Sequence, residues 1–147
     1  MQGGEVEELF RKGVKAIHNG DTLSALACFE KVLQIEDSPV VSSYLAYCIA
    51  KERGQVSMAI SLCDDAIKKE PRNSVHYFNL GKIYLVCNKK TEAVEVFRKG
   101  LSCEMNQHIV DELHWLGLRK PPVMPFLKRS NPINKYLGII LTKLRFR

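Results

Sequence analysis

In the stretch SVHYFNLGKIYLVC, Tyr77, Leu80, Gly81 and Tyr84 fall three and four residues apart, which places them on one face of a helix. The polar NKK that follows breaks the pattern. TEAVEVFRKGLSC then resumes it, with Ala93, Val94, Phe97 and Leu101 on one stripe. Two amphipathic helices joined by a short turn are predicted, and Asn88 in that turn can take a left-handed backbone. The same pattern occurs twice earlier in the chain. Ala25, Ala59 and Ala93 stand 34 residues apart, as do Gly20, Gly54 and Asn88. Phe29, Cys63 and Phe97 each follow four residues after an alanine, and Gly13 and Gly81 are two periods apart with Tyr47 between them. Registers that share one period mark an internal repeat of helix pairs. The small alanine lets two helix backbones approach, and the bulky residue beside it fills the gap. One such pair cannot bury its apolar face alone, so neighbours must stack.

The repeat resembles the tetratricopeptide repeat, a 34-residue unit with W-x2-L-G-x2-Y, then A-x3-F, then Pro. The third unit has Tyr77-x2-Leu80-Gly81-x2-Tyr84 and Ala93-x3-Phe97. The second has Ala46, Gly54, Ala59, Ala66 and Pro71, and the first has Leu9, Gly13, Gly20, Ala25 and Phe29. Lys12, Tyr47 and Met105 depart from the motif, where Leu, Gly and Pro are usual. The resemblance covers about residues 6–107 and implies an all-α fold, a right-handed superhelical solenoid of antiparallel helix pairs. Repeats are expected at about residues 6–39, 40–73 and 74–107, with a partial fourth at 108–118. That fourth unit is a first helix, QHIVDELHWLGL, ending at RKPP, where two prolines block continuation. Residues 1–118 therefore read as the array, and residues 119–147 as a basic, proline-containing linker and a C-terminal capping helix. Ser130 or Asn131 would cap that helix, with Pro132 in its first turn.

In tetratricopeptide folds the first helices line the concave surface. The resemblance thus implies a partner-binding groove of Phe10, Val14, Ile17, Tyr44, Leu45, Cys48, Phe78, Asn79, Lys82, Leu85, Ile109, Leu113 and Leu116. Phe10, Tyr44, Phe78 and Leu85 are the expected anchors, and Asn79 and Lys82 the polar orienting groups. So apolar a lining would approach or exceed the roughly 300–600 Å² that a soluble monomer leaves open. Either a partner's helix or extended segment covers it, or the chain's own tail does. In the tail, Ile133, Tyr136, Leu137, Ile140, Leu141 and Leu144 share one helical face. That helix could cap the array and leave the groove open, or fold back into it; tail exchange between two copies would give a homodimer. Members of the family that bind chaperone tails hold the terminal carboxylate with Lys, Asn and Arg donors from three repeats. The matching positions here are Phe10, Val14, Leu45, Val75 and Asn79, so a chaperone carboxylate is not the expected ligand.

The length of 147 residues suffices for one folded domain with a real core. Charge changes the picture only near the end of the chain. The net charge is +6, yet residues 1–118 hold 14 basic and 16 acidic side chains. Arg119, Lys120, Lys128, Arg129, Lys135, Lys143, Arg145 and Arg147 follow with no acid among them. Basic residues beside an amphipathic helix also suit an anionic membrane surface or nucleic acid, the alternative use of this segment. They equally serve to solubilise an exposed face. No apolar run reaches the roughly 18 residues that a bilayer requires. MQGGEVEELFRKG lacks the basic and apolar regions of a signal peptide, so a cytoplasmic location is expected.

Candidate chemistry adds little. Cys28, Cys48, Cys63, Cys87 and Cys103 include no C-x-x-C pair, and buried or half-buried free thiols are expected rather than a metal site. His108 and His114 are six residues apart and do not share a helix face as two ligands would. Asp64 and Asp65 sit on a solvated helix face. Trp115, near but not at the place of a motif Trp, reads as core or end-cap. No phosphate-binding glycine loop, zinc-protease helix or nucleophile elbow occurs. The expectation is a non-enzymatic scaffold or adaptor that binds another protein and needs no cofactor.

Overall fold

A computed structural model of the chain describes residues 2–117. Among these residues there are seven helices and no strand: α1 (Gln2–His18), α2 (Thr22–Ile35), α3 (Pro39–Arg53), α4 (Val56–Lys69), α5 (Ser74–Val86), α6 (Lys90–Cys103) and α7 (Gln107–Trp115). The expected capping helix and its apolar face, Ile133 to Leu144, lie outside the described residues. Two compact units divide the chain, Met1–Val110 and Asp111–Arg147, and α7 crosses the boundary.

Local sequence sets the helix ends. Gly20 (φ 79°), Gly54 (φ 67°) and Asn88 (φ 60°) are all left-handed, one in each turn within a pair, as their shared register predicts. Between pairs the turns carry caps. Ser38 Oγ accepts from Val41 N at 3.4 Å, with Pro39 in the first turn of α3. Asn73 Oδ1 accepts from Val75 N at 3.1 Å at the start of α5. Turns this short make each pair an antiparallel hairpin. Within the first unit α1 packs on α2, α3 on α4 and α5 on α6. The hairpins are joined by α2 on α3, α4 on α5, and α3 on α5.

The second helix of each pair buries residues at i, i+4 and i+7. They are Ala25, Phe29 and Val32 in α2, Ala59, Cys63 and Ala66 in α4, and Ala93, Phe97 and Gly100 in α6. Phe29 and Phe97 are fully buried because glycines face them. A Cβ on Gly13 would sit 2.7 Å from Phe29 Cζ, and one on Gly81 would overlap the Phe97 ring in the same way. In the middle hairpin the sizes are exchanged: Tyr47 stands in the glycine register and Cys63 in the phenylalanine register, both buried.

Two expectations at the end of the array change. Helix α7 stops at Trp115, and Gly117 (φ 69°) supplies the left-handed residue that ends it before the prolines are reached. Trp115 is 86 % exposed, so it is neither core nor cap among the described residues.

Candidate partner-binding site

The inner face begins with three rings. Phe10 on α1 meets Tyr44 on α3 edge-on, with centroids 5.8 Å apart, and Tyr44 stacks on the buried Phe29 at 5.4 Å and 19°. Phe10 also leans on Phe29 at 6.1 Å. Two aromatic residues from different repeats are therefore held in place by a third, each of the two half-buried. Burial raises the Tyr44 hydroxyl above its ordinary pKa, so the ring presents a neutral phenol. Val14, Ile17 and Leu45 are half-buried against the same core.

The surface between α3 and α5 differs. Ser43, His76 and Asn79 are all buried. Asn79 Nδ2 donates to Ser43 Oγ at 3.0 Å, and His76 Nδ1 lies 3.0 Å from the same oxygen. His76 Nε2 is 2.8 Å from Glu70 Oε1. Ser43 Oγ is also 3.0 Å from the Val40 carbonyl oxygen. A buried polar group needs a partner, and these satisfy one another across two repeats. Asn79, expected to orient a ligand, is therefore committed to the core. Cys48 and Ile109 are also fully buried and Leu113 nearly so, so these three form core rather than lining. Cys48 and Ile109 turn away for a local reason: Cys48 belongs to the continuous buried run of α3, and Ile109 packs where Gly100 leaves no room for a Cβ. Lys82 Nζ sits over the Tyr47 ring, 5.5 Å from its centroid. Leu85 and Leu116 are half-buried.

Further along, Phe78 contacts Phe97 at 6.4 Å and the His108 ring at 5.6 Å, and His108 contacts His18 at 5.2 Å. The end of α1 and the start of α7 thus meet ring to ring, a contact between residues 90 apart that no local pattern signals.

Burial sets the character of the two inner thiols. All five are free; Cys48 and Cys63 are buried and the others half-buried, as expected. Burial, reinforced by the Glu52 charge, pushes the Cys48 thiol up to about 12, and burial pushes Cys63 up as well. Among the described residues no group of three or more His, Cys, Asp or Glu could hold a metal ion, and no helix is long and apolar enough to cross a membrane.

A separate pocket of about 300 Å³ opens near the start of α1. It is lined by Gly3, Val6, Glu7, Phe10, Glu36, Ser38, Val40 and Val41. Only Phe10 of these was singled out from the sequence. The signal that was available is the 34-residue spacing of Glu36, Glu70 and Glu104.

Comparison with known proteins agrees with this architecture. Residues 62–95 match the family model described as tetratricopeptide repeat. A TPR repeat-containing protein of Methanocaldococcus jannaschii is 29 % identical over 138 residues, which is 93 % of this chain and 24 % of that protein. The chain thus spans about a quarter of the length of that curated relative. The first TPR of Spaghetti (RPAP3) bound to the HSP90 peptide SRMEEVD superposes with a TM-score of 0.56 and 22 % identity, over 76 % of this chain and 92 % of that one. The Sgt2 TPR domain from Aspergillus fumigatus gives a TM-score of 0.59 and 18 % identity, over 89 % of this chain and 93 % of that one. The described residues carry the all-α tetratricopeptide fold.

Proposed function

We propose that this chain is a non-enzymatic protein-interaction module, and that its inner face binds an apolar helix or extended peptide of a partner against Phe10, Tyr44 and Phe78. The observation that carries this is the pair Phe10–Tyr44, half-exposed and held at 5.8 Å by Phe29 behind it. Rings locked before binding lose little freedom on binding, and aromatic anchors of this kind supply most of the energy at protein interfaces. A chaperone carboxylate fits less well, although a structurally similar domain holds an HSP90 peptide. Phe10, Val14, Leu45 and Val75 offer no donor, and the Asn79 amide is engaged by Ser43. The tail, residues 119–147, is a proposed competitor for the same surface on the strength of its apolar helical pattern in the sequence.

The test replaces Tyr44 by the photocrosslinker p-benzoylphenylalanine in the full chain. On illumination it should attach to another polypeptide or to the tail, and peptide mapping names which. Phe10→Ala with Phe78→Ala should weaken the partner crosslink about tenfold, the equivalent of 1.4 kcal/mol. A yield no higher than that of the same probe placed at exposed Lys31 would remove this surface from consideration.

A further inference from the structure

Glu36, Glu70 and Glu104 stand 34 residues apart, each at the C-terminal cap of the second helix of a hairpin. Two of them are engaged. Glu70 Oε1 lies 2.8 Å from His76 Nε2. Glu104 Oε1 accepts from Ser74 N at 3.0 Å and from Ser74 Oγ at 2.8 Å. The Glu36 carboxylate has no hydrogen-bond or ion-pair partner among the described residues. Sequence explains the difference. Six residues on, where Glu70 finds His76, Glu36 finds Ser42, which does not reach it. Thirty residues back, where Glu104 finds Ser74, Glu36 finds Val6, which has no side-chain donor.

That same Val6 forms the wall of the 300 Å³ pocket that Glu36 edges. Val6, Phe10, Val40 and Val41 make it apolar, and Glu7 supplies a second carboxylate. Among the described residues Glu7 pairs with Arg11 at 2.7 Å, an exposed i,i+4 pair of the sort that contributes little and exchanges readily. Helix α2 adds the partial negative charge of its C-terminus and has no basic residue in its last turn to offset it.

We propose that this pocket takes one arginine side chain from an extended peptide of a protein partner. Its aliphatic stem would lie on the valines, its plane against the Phe10 ring and its guanidinium on Glu36, with Glu7 as the second acceptor. A cation with an apolar stem matches a pocket with apolar walls and an acidic rim. Arginine suits it better than lysine because its planar fork can serve two carboxylates and stack on an aromatic face. The ligand supplies the donor that His76 and Ser74 supply in the other two repeats. The pocket shares Phe10 with the inner face but depends on Glu36, so either reading can fail without the other.

The test titrates Nα-acetyl-arginine amide into the ¹⁵N-labelled full chain at low salt and follows amide shifts. Gly3, Glu7, Glu36 and Ser38 should move together with a dissociation constant of about 1 mM, weak because one side chain carries few contacts. The citrulline analogue, of the same shape but uncharged, should leave these amides unmoved. Glu36→Gln, at an exposed position without partners among the described residues, should fold normally and weaken binding about tenfold. Shifts at other residues, equal binding of citrulline, or arginine binding unchanged in Glu36→Gln would each overturn the proposal. Lysine amide binding as tightly as arginine would overturn the assignment to a guanidinium.

Discussion

The outer hairpins, α1–α2 and α5–α6, and the middle hairpin, α3–α4, place residues of opposite size at the same two registers. In the outer two a glycine on the first helix admits a phenylalanine from the second: Gly13 with Phe29, Gly81 with Phe97. In the middle one a tyrosine stands where the glycine would be and a cysteine where the phenylalanine would be, and both are buried. Interiors pack at near-crystalline density, so volume has to be matched across the contact. The pair, and not either position alone, is what the repeat preserves. The middle hairpin differs in polarity too. Ser43 on α3 gathers His76 and Asn79 from the next repeat, and Cys63 Sγ lies 3.9 Å from the Ser43 carbonyl oxygen. A phenylalanine in place of Cys63 would crowd the helix that holds this network.

Removing an outer ring should have the largest effect. Phe97→Ala empties a site with no solvent access, at a cost of about 3–5 kcal/mol. Against a total stability of about 5–15 kcal/mol, much of the margin is lost. Urea unfolding followed by helical circular dichroism measures this. If Cys63→Ala proves as costly, the comparison between ring-filled and thiol-filled hairpins carries no energetic meaning.

A smaller but more pointed effect comes from exchanging the pair. Cys63→Phe alone should destabilise by about 1–3 kcal/mol, because Cys63 is fully buried and the glycine register opposite holds a buried tyrosine. Adding Tyr47→Gly should recover most of that, giving the middle hairpin the glycine and phenylalanine of its neighbours. The cycle of two single variants and one double should show a coupling of about 0.5–3 kcal/mol in the stabilising direction. Simple additivity would mean that the two residues do not share a volume.

Much of the fold was legible because it repeats. The alanine and phenylalanine registers of α2 and α6 are fully buried, and the three turn residues are left-handed, as their spacing implied. The inner face was legible only in part. Helix α3 buries Val41, Ser43, Ala46, Tyr47, Cys48, Ile49 and Ala50, and α5 buries Ser74, His76, Tyr77, Asn79, Leu80, Gly81 and Ile83. Central helices covered on most sides have no single apolar stripe, so periodicity cannot say which residues face inward. Cys48 and Asn79 were lost for that reason. Asn79 illustrates a second limit, since its partner Ser43 is 36 residues away and only the assembled repeats bring them together. The glutamate row was visible as a spacing, but which glutamate lacked a donor depended on Val6 and Ser42 standing in place of Ser74 and His76.

The smallest expected effect concerns that row. The Ser74 hydroxyl, and then its N–H, hold the Glu104 carboxyl below its ordinary pKa. A group depressed in the folded state stabilises fully above its unfolded pKa and loses that contribution as pH falls through the lower folded value. The wild-type chain should therefore be slightly more stable than Glu104→Gln at pH 7, and the gap in Tm should close as the solution is taken down through the carboxylate range. Glu104 lies at the surface, where solvent screens the interaction, so the gap is a small one. Glu36→Gln is the reference, because that carboxylate has no donor to lose among the described residues. A Glu104→Gln gap that stays constant with pH would mean that Ser74 responds to the shape of residue 104 and not to its charge, and the engaged and unengaged glutamates would then differ less than their geometry suggests.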